Sequence, residues 1–211
     1  MKEYKLPIGC DVPETIILAD GDFPSHPLAL EWLRQCPYVV CCDGAANTYI
    51  RSGRMSEAIV GDGDSLLPGI KERYASLIHS EAEQETNDLS KAFRFCLSQE
   101  RKRITIMGAT GKREDHTIGN VSLLADYMEQ AEVSMMTDYG IFVPIREDSM
   151  FESYIGQQIS VFNMNSTALS AEGLAYPLSV FTNWWQGTLN EALAKHFIIR
   201  TEGKVLVFRT F

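Results

Sequence analysis

The sequence predicts an α/β fold, a mainly parallel sheet with flanking helices, giving way to an antiparallel β region toward the C-terminus. Three observations carry that expectation. Short β-branched runs alternate with helical patterns up to about Tyr139, the rhythm of successive βαβ units. Beyond it, short apolar runs are separated by turn residues, without a convincing amphipathic stripe. With 45% hydrophobic residues in 211, the chain can bury a substantial core, in one large domain or two modest ones.

Taken in order, the strands expected in the first part are Thr15–Ala19, Tyr38–Cys42, Ala58–Val60, Ser76–His79 and Ile104–Met107, with a sixth over Glu132–Met136. Pro27–Gln35 reads as a helix, and a shorter helix after Ala45 is ended by Gly53. The clearest helix follows Asn87, because Leu89, Ala92, Phe93, Cys96 and Leu97 fall on one face at helical period, with Asn87 or Asp88 as its cap. Another is expected from His116 to Met128, with Val121, Leu124 and Ala125 inward. Near the C-terminus, Phe197–Arg200 and Val205–Phe208 read as a hairpin about Glu202-Gly203, while Thr188–Lys195 is ambiguous between helix and strand.

Composition narrows the function. A formal net charge of −9 argues against a nucleic-acid surface, which needs clustered Lys and Arg; Arg101–Arg103 is short and reads as a solvated helix end. No stretch approaches the roughly 20 apolar residues that span a bilayer, and Met1 is followed by Lys2 and Glu3 rather than an apolar run. No membrane partner and a cytoplasmic location are therefore expected. Cys10, Cys36, Cys41, Cys42 and Cys96 are odd in number, lack metal-ligand spacing and read as buried thiols.

The chemistry collects where acidic residues follow strands, the edge of an open parallel sheet at which ligands bind. Asp43 follows one strand, Asp62 and Asp64 another, Asp88 opens a helix, and Asp115 lies on a later loop. Convergent carboxylates repel by about 1 kcal/mol per pair at 4 Å in water, and by about 4 kcal/mol at an effective dielectric of 20, so a cation belongs among them. Oxygen ligands beside glycines suit magnesium. For any one of these aspartates a cap or turn role is the commoner reading; the set together favours a cation site. Gly61-Asp62-Gly63-Asp64-Ser65 is the sharpest piece, though Leu66 rules out an EF-hand.

Gly108-Ala109-Thr110-Gly111-Lys112-Arg113 lacks Walker A spacing, yet a glycine-rich turn carrying two cations can neutralise phosphate oxygens. Solvated surface charge is the competing reading, more so for Lys112 than for Arg113. His116 fits a general base less well than a helix-start cap. Trp184-Trp185 offers a flat face for a ring or cation, or else core.

In their order, Cys42-Asp43-Gly44-Ala45-Ala46-Asn47, the Gly61–Ser65 run, Gln84-Glu85-Thr86-Asn87-Asp88-Leu89, and Gly108 through Asp115-His116 to Asn120 resemble the motifs of thiamine pyrophosphokinases. Glu172–Leu178 and Thr182-Asn183 are similar to that family's C-terminal β-sandwich, so the likeness covers most of the chain. The resemblance implies an α/β nucleotide-binding domain over residues 1–139, a thiamine-binding antiparallel β-sandwich over 140–211, and a homodimer. It also implies transfer of the diphosphate of MgATP to the thiamine hydroxyl, releasing AMP. Magnesium would fall to Asp62, Asp64 and Asp88, and catalysis to Asp64, Asp88, Arg113 and Asp115. Asp43, Gly44, Asn47, Ser65 and Lys112 would serve the nucleotide, and Gln84, Asn87, Thr182, Asn183 and Trp185 the vitamin. The sequence departs from the family pattern at Gly63, Asn87 and the paired tryptophans. The alternatives are a metal-dependent phosphohydrolase and a non-catalytic nucleotide- or vitamin-binding module.

Overall fold

The computed structural model describes residues 1–7, 11–81 and 85–211. Its elements run β1 (Lys2–Tyr4), β2 (Thr15–Leu18), α1 (Pro27–Gln35), β3 (Val39–Cys42), α2 (Ala45–Arg51), β4 (Ala58–Gly61), α3 (Pro68–Arg73), β5 (Ile78–Ser80), α4 (Asp88–Ser98), β6 (Arg103–Met107), α5 (Glu114–Tyr127), β7 (Glu132–Met136), β8 (Gly140–Ile145), β9 (Ser149–Glu152), β10 (Gln158–Asn163), β11 (Ala168–Glu172), β12 (Asn190–Glu191), β13 (His196–Glu202) and β14 (Val205–Thr210). They form two compact units: an α/β unit ending at Asp138, and a β unit of Tyr139–Phe211 joined by the N-terminal segment.

In the α/β unit the strands lie in the order β7-β6-β2-β3-β4-β5, all paired in parallel. Every residue of β2, β3 and β4 is buried, because helices cover both faces of such a sheet and its strands become continuous apolar runs. The chain moves outward from β2 through β3, β4 and β5, then returns to the other side of β2 as β6. The direction therefore reverses between β2 and β6, and a crevice opens beyond their C-terminal ends.

The helix predicted after Asn87 is present as α4, with Leu89, Ala92, Phe93 and Cys96 buried and Asn87 Oδ1 accepting the Ser90 amide at 2.9 Å. Phe93 stacks on Tyr127 of α5 at 3.9 Å, joining the two helices over the sheet. The strand expected at Ser76–His79 is shifted: a 3-10 turn takes Ala75–Leu77 and β5 starts at Ile78. As the partly exposed last strand of this sheet, β5 carries a weak apolar signal that does not fix its start.

Within the β unit the strands lie in the orders β1-β9-β13-β11 and β12-β10-β14-β8, around a core that includes Ile141, Val143, Phe151, Val161, Phe197, Ile199 and Val207. Its N-terminal strand departs from the expectation of one continuous domain over 1–139: β1 pairs in parallel with β9, Tyr4 opposite Phe151. The rings of Tyr4 and Phe197 stack on Phe151 at 4.8 and 5.0 Å. Buried Arg209 donates to Lys5 O at 3.0 Å and to Glu152 O at 2.7 Å, and burial pushes its guanidinium down to about 10.

The C-terminal strands depart from the expected pairing, and the ambiguous segment before them carries a short strand. The strands β13 and β14 exist, but they are not a hairpin: β13 pairs with β9 and β11, and β14 with β10 and β8. Each carries a buried apolar face, Phe197 and Ile199 in one and Val205 and Val207 in the other, so crossing between sheets gives both sides of the sandwich an inward face. Thr188–Lys195 holds no helix; Asn190–Glu191 pairs antiparallel with β10, and the Asn190 amide clasps Tyr176 N and O at 3.0 and 2.8 Å. Among the described residues no helix is long and apolar enough to cross a membrane.

Candidate active site

At the reversal point of the α/β unit lies a cleft of about 450 Å³, lined by loops from four strand ends and by the first turns of α4 and α5. Asp20 and Gly21 come from β2, Asp62 from β4, Asn87, Asp88 and Lys91 from α4, and Gly111, Lys112, Arg113 and His116 from the loop after β6 and the start of α5.

Asp43 stands just behind this lining, 3% exposed, at a φ of 23° that a non-glycine residue rarely adopts. Its Oδ2 accepts the Ser65 amide at 3.0 Å, while Oδ1 is buried without a hydrogen-bond partner. Burial pushes its carboxyl upward, the Ser65 amide opposes that, and the Asp62 and Asp88 carboxylates raise it further. Asp62 is held low by the Asp64 amide, which donates to Asp62 Oδ1 at 3.0 Å. The Asp43 and Asp62 side chains come within mutual reach, a contact that raises the Asp43 carboxyl and lowers that of Asp62. Gly61 permits this crowding, since a Cβ there would lie 2.8 Å from Asp43 Cβ and 3.4 Å from Asp88 Cγ.

Three cations face the carboxylates. Lys91 reaches Asp88 Oδ1 at 3.1 Å with its side chain only 4% exposed. Lys112 donates to Asp20 Oδ1 at 3.1 Å and to Asp20 O at 2.8 Å, bridging the loops after β2 and β6. Arg113 forms a two-point pair with Asp115, Nε to Oδ1 at 3.1 Å and Nη2 to Oδ2 at 2.6 Å, which holds the Asp115 carboxyl below its usual value. Gly111, at φ 78°, lies against the Asp22 carboxylate, so its loop approaches the loop after β2 more closely than a side chain would allow.

The sequence-predicted residues divide accordingly. Asp62, Asp88, Asn87, Lys112 and Arg113 line the cleft. Asp64 and Ser65 are exposed outside that lining, and Asp115 is turned to Arg113. Asn47 spends its amide on the loop after β4, donating to Ser65 O at 2.8 Å and accepting Leu67 N at 2.9 Å, while Gly44 lies against the Asp20 carboxylate. Asn87, besides capping α4, donates to Asn120 Oδ1 at 3.2 Å, and Asn120 passes the bond to Ala109 O at 2.9 Å. Gln84 lies outside the described residues. Thr182, Asn183 and Trp185 belong to the β unit, where Asn183 and Gln186 cap a short 3-10 turn, Trp184 packs edge-on against Phe162 at 6.0 Å, and Trp185 is 73% exposed. Asp20 and Lys91 were missed by sequence reasoning. The available signal for Lys91 was its place three residues after Asp88 on the same helical face.

Among the described residues, no three His, Cys, Asp or Glu side chains stand in a metal-holding arrangement. The local chemistry nonetheless fits a hard divalent cation: Asp43 Oδ1 is an orphaned buried acceptor, its neighbours Asp62 and Asp88 are oxygen donors, and a cation is what such a group lacks.

A parallel sheet with carboxylates and cations converging at its reversal point, and a β-sandwich in the second unit, define an α/β protein with a charged cleft. The catalytic-domain profile of thiamin pyrophosphokinase matches residues 29–136 and the substrate-binding-domain profile of the same enzyme matches 140–208. The chain belongs to the thiamin pyrophosphokinase family. It is 29% identical over 129 residues to thiamine pyrophosphokinase 1 of Oryza sativa subsp. japonica, a match covering 49% of each chain. The chain thus spans about half the length of the curated relatives it matches. Its fold is similar to that of thiamin pyrophosphokinase from Candida albicans, with a TM-score of 0.81 at 17% identity over 100% of this chain and 93% of that one. The Bacillus subtilis thiamine pyrophosphokinase structure gives 0.77 at 20% identity, over 93% and 98%.

Proposed function

We propose that this chain transfers the diphosphate of MgATP to the hydroxyl of thiamine, forming thiamine diphosphate and AMP. The observation that carries the proposal is the match of catalytic and substrate-binding profiles, in that order, on a chain whose α/β unit opens a cleft with both carboxylates and cations.

In this reading Asp62, Asp64 and Asp88, backed by Asp43, would hold magnesium. Bound there, the ion would offset charge on polyphosphate oxygens. Lys112 and Arg113 leave their carboxylate partners for phosphate oxygens, Arg113 through its planar fork. The thiamine hydroxyl oxygen forms a bond to the β-phosphorus, the bond from that phosphorus to the bridging oxygen of the α-phosphate breaks, and AMP departs with that oxygen. Asp88 or Asp115 takes the hydroxyl proton. Asp115 orients Arg113. Gln84, Asn87, Thr182, Asn183 and the exposed face of Trp185 serve the vitamin.

A homodimer in the cytoplasm completes the proposal. Exposed Tyr176, Trp185, Leu189 and Leu193 give the β unit apolar surface suited to a partner copy, which sedimentation equilibrium would detect as twice the chain mass. The activity is tested by incubating purified protein with thiamine and MgATP and separating the products. Equal amounts of thiamine diphosphate and AMP are expected. ADP formation, or ATP loss without thiamine, would replace the proposal with simple kinase or phosphohydrolase chemistry.

A further inference from the structure

Lys91 is unusual for a lysine in α4. Its side chain is 4% exposed, yet it lines the cleft beside Asp62 and Asp88. An ammonium has three N–H donors, and among the described residues the hydrogen bond to Asp88 Oδ1 is the only one it makes. A buried cation with donors left over is costly unless another acceptor arrives. Asp88 is 35% exposed and keeps access to solvent, so the pair does not explain why the lysine itself is so enclosed. The same cleft is lined by Lys112 and Arg113, which places further positive groups around one space.

We propose that Lys91 is a substrate-binding residue whose spare donors take a phosphoryl oxygen of a polyphosphate seated between it and the Lys112–Arg113 loop. This rests on reading the cleft as a polyphosphate site. Asp88 then acts in a second way, holding the Lys91 ammonium in place by its hydrogen bond while the site is empty. Binding is selective for the phosphate chain, because Lys91 offers point-charge donors rather than a surface for a base or sugar.

The test uses calorimetric titration of the full chain with inorganic triphosphate, with ATP, and with adenosine, each in the presence of magnesium. In Lys91→Met the affinity for triphosphate and ATP should fall by about tenfold or more, the usual effect of losing a charge-assisted hydrogen bond. Adenosine affinity should not change. Lys91→Gln, which keeps the volume and two donors, should lie between the two, and its thermal unfolding reports whether the fold survives. Triphosphate affinity within about twofold of the unsubstituted protein in both folded variants overturns the proposal, as does an equal loss for adenosine. If both variants unfold, side-chain NMR of ¹⁵N-lysine-labelled protein decides it: a buried, slowly exchanging ammonium signal should shift on adding triphosphate, and an unmoved one overturns the assignment. Product analysis of the unsubstituted protein is read separately. Triphosphate binding that depends on Lys91 without thiamine diphosphate formation would sink the activity and leave Lys91 standing, and the reverse would do the opposite.

Discussion

Asp43 is held where its own charge is least welcome: buried, at a left-handed φ, with one carboxylate oxygen unpartnered and other carboxylates nearby. Residues kept in such positions against stability mark functional sites. Asp43→Asn removes the charge while keeping the Ser65 bond and adds an amide that can donate toward Asp62. Asparagine also tolerates positive φ. The variant should be more stable than the unsubstituted chain by about 1 kcal/mol at neutral pH, measured by urea unfolding, and should lose most of its turnover. A less stable variant would mean that the carboxylate is satisfied in a way the hydrogen bonding does not reveal. That Asp62, Asp88 and the Lys112–Arg113 turn share one cleft was legible in sequence because the loops after parallel strands converge at a sheet edge. Lys91 was not, because a lysine beside an apolar stripe looks the same whether its head reaches solvent or turns into a cleft. Which of Asp62 and Asp64 lines the cleft was also hidden, since loop backbone, not spacing, aims the two.

At the scale of elements, α1 shows how a contact distant in sequence fixes a helix start. Asp138, after β7, accepts the Ser25 amide at 2.8 Å, the His26 amide at 3.0 Å and the Ser25 hydroxyl, just ahead of the His26 cap and Pro27. Burial alone would raise its carboxyl, but the Ser25 hydroxyl and the His26 and Ser25 amides outweigh it and hold it below its usual 3.8. Asp138→Ala should therefore cost about 1–2 kcal/mol, read by chemical denaturation. Because the native value is depressed, that contribution is fully present above the usual 3.8 and fades as pH falls through the native value. An equal cost at pH 7 and pH 2 would contradict the charge-based account. Helices such as α4 were readable from their periodicity, and so were the buried strands of the parallel sheet. The pairing of β13 and β14 was not: a short turn between apolar runs fits a hairpin and a sheet-to-sheet crossing equally, and only the need for two inward faces decides.

The whole molecule combines an α/β unit that carries the charged cleft with a β-sandwich that leaves Trp185 and several other apolar side chains exposed, and the family profiles match most of both. The fold class was legible because the switch from βαβ rhythm to short turn-separated strands is written along the chain. The role of β1 was not, since a three-residue strand far from its partner in sequence leaves no pattern of its own. In the proposed reaction the β-phosphorus of ATP is the atom attacked. Incubation with thiamine and ATP labelled at the β-phosphorus tests it most directly: the label should appear in thiamine diphosphate and leave AMP unlabelled. Label recovered in ADP, or in free diphosphate formed without thiamine, would contradict it.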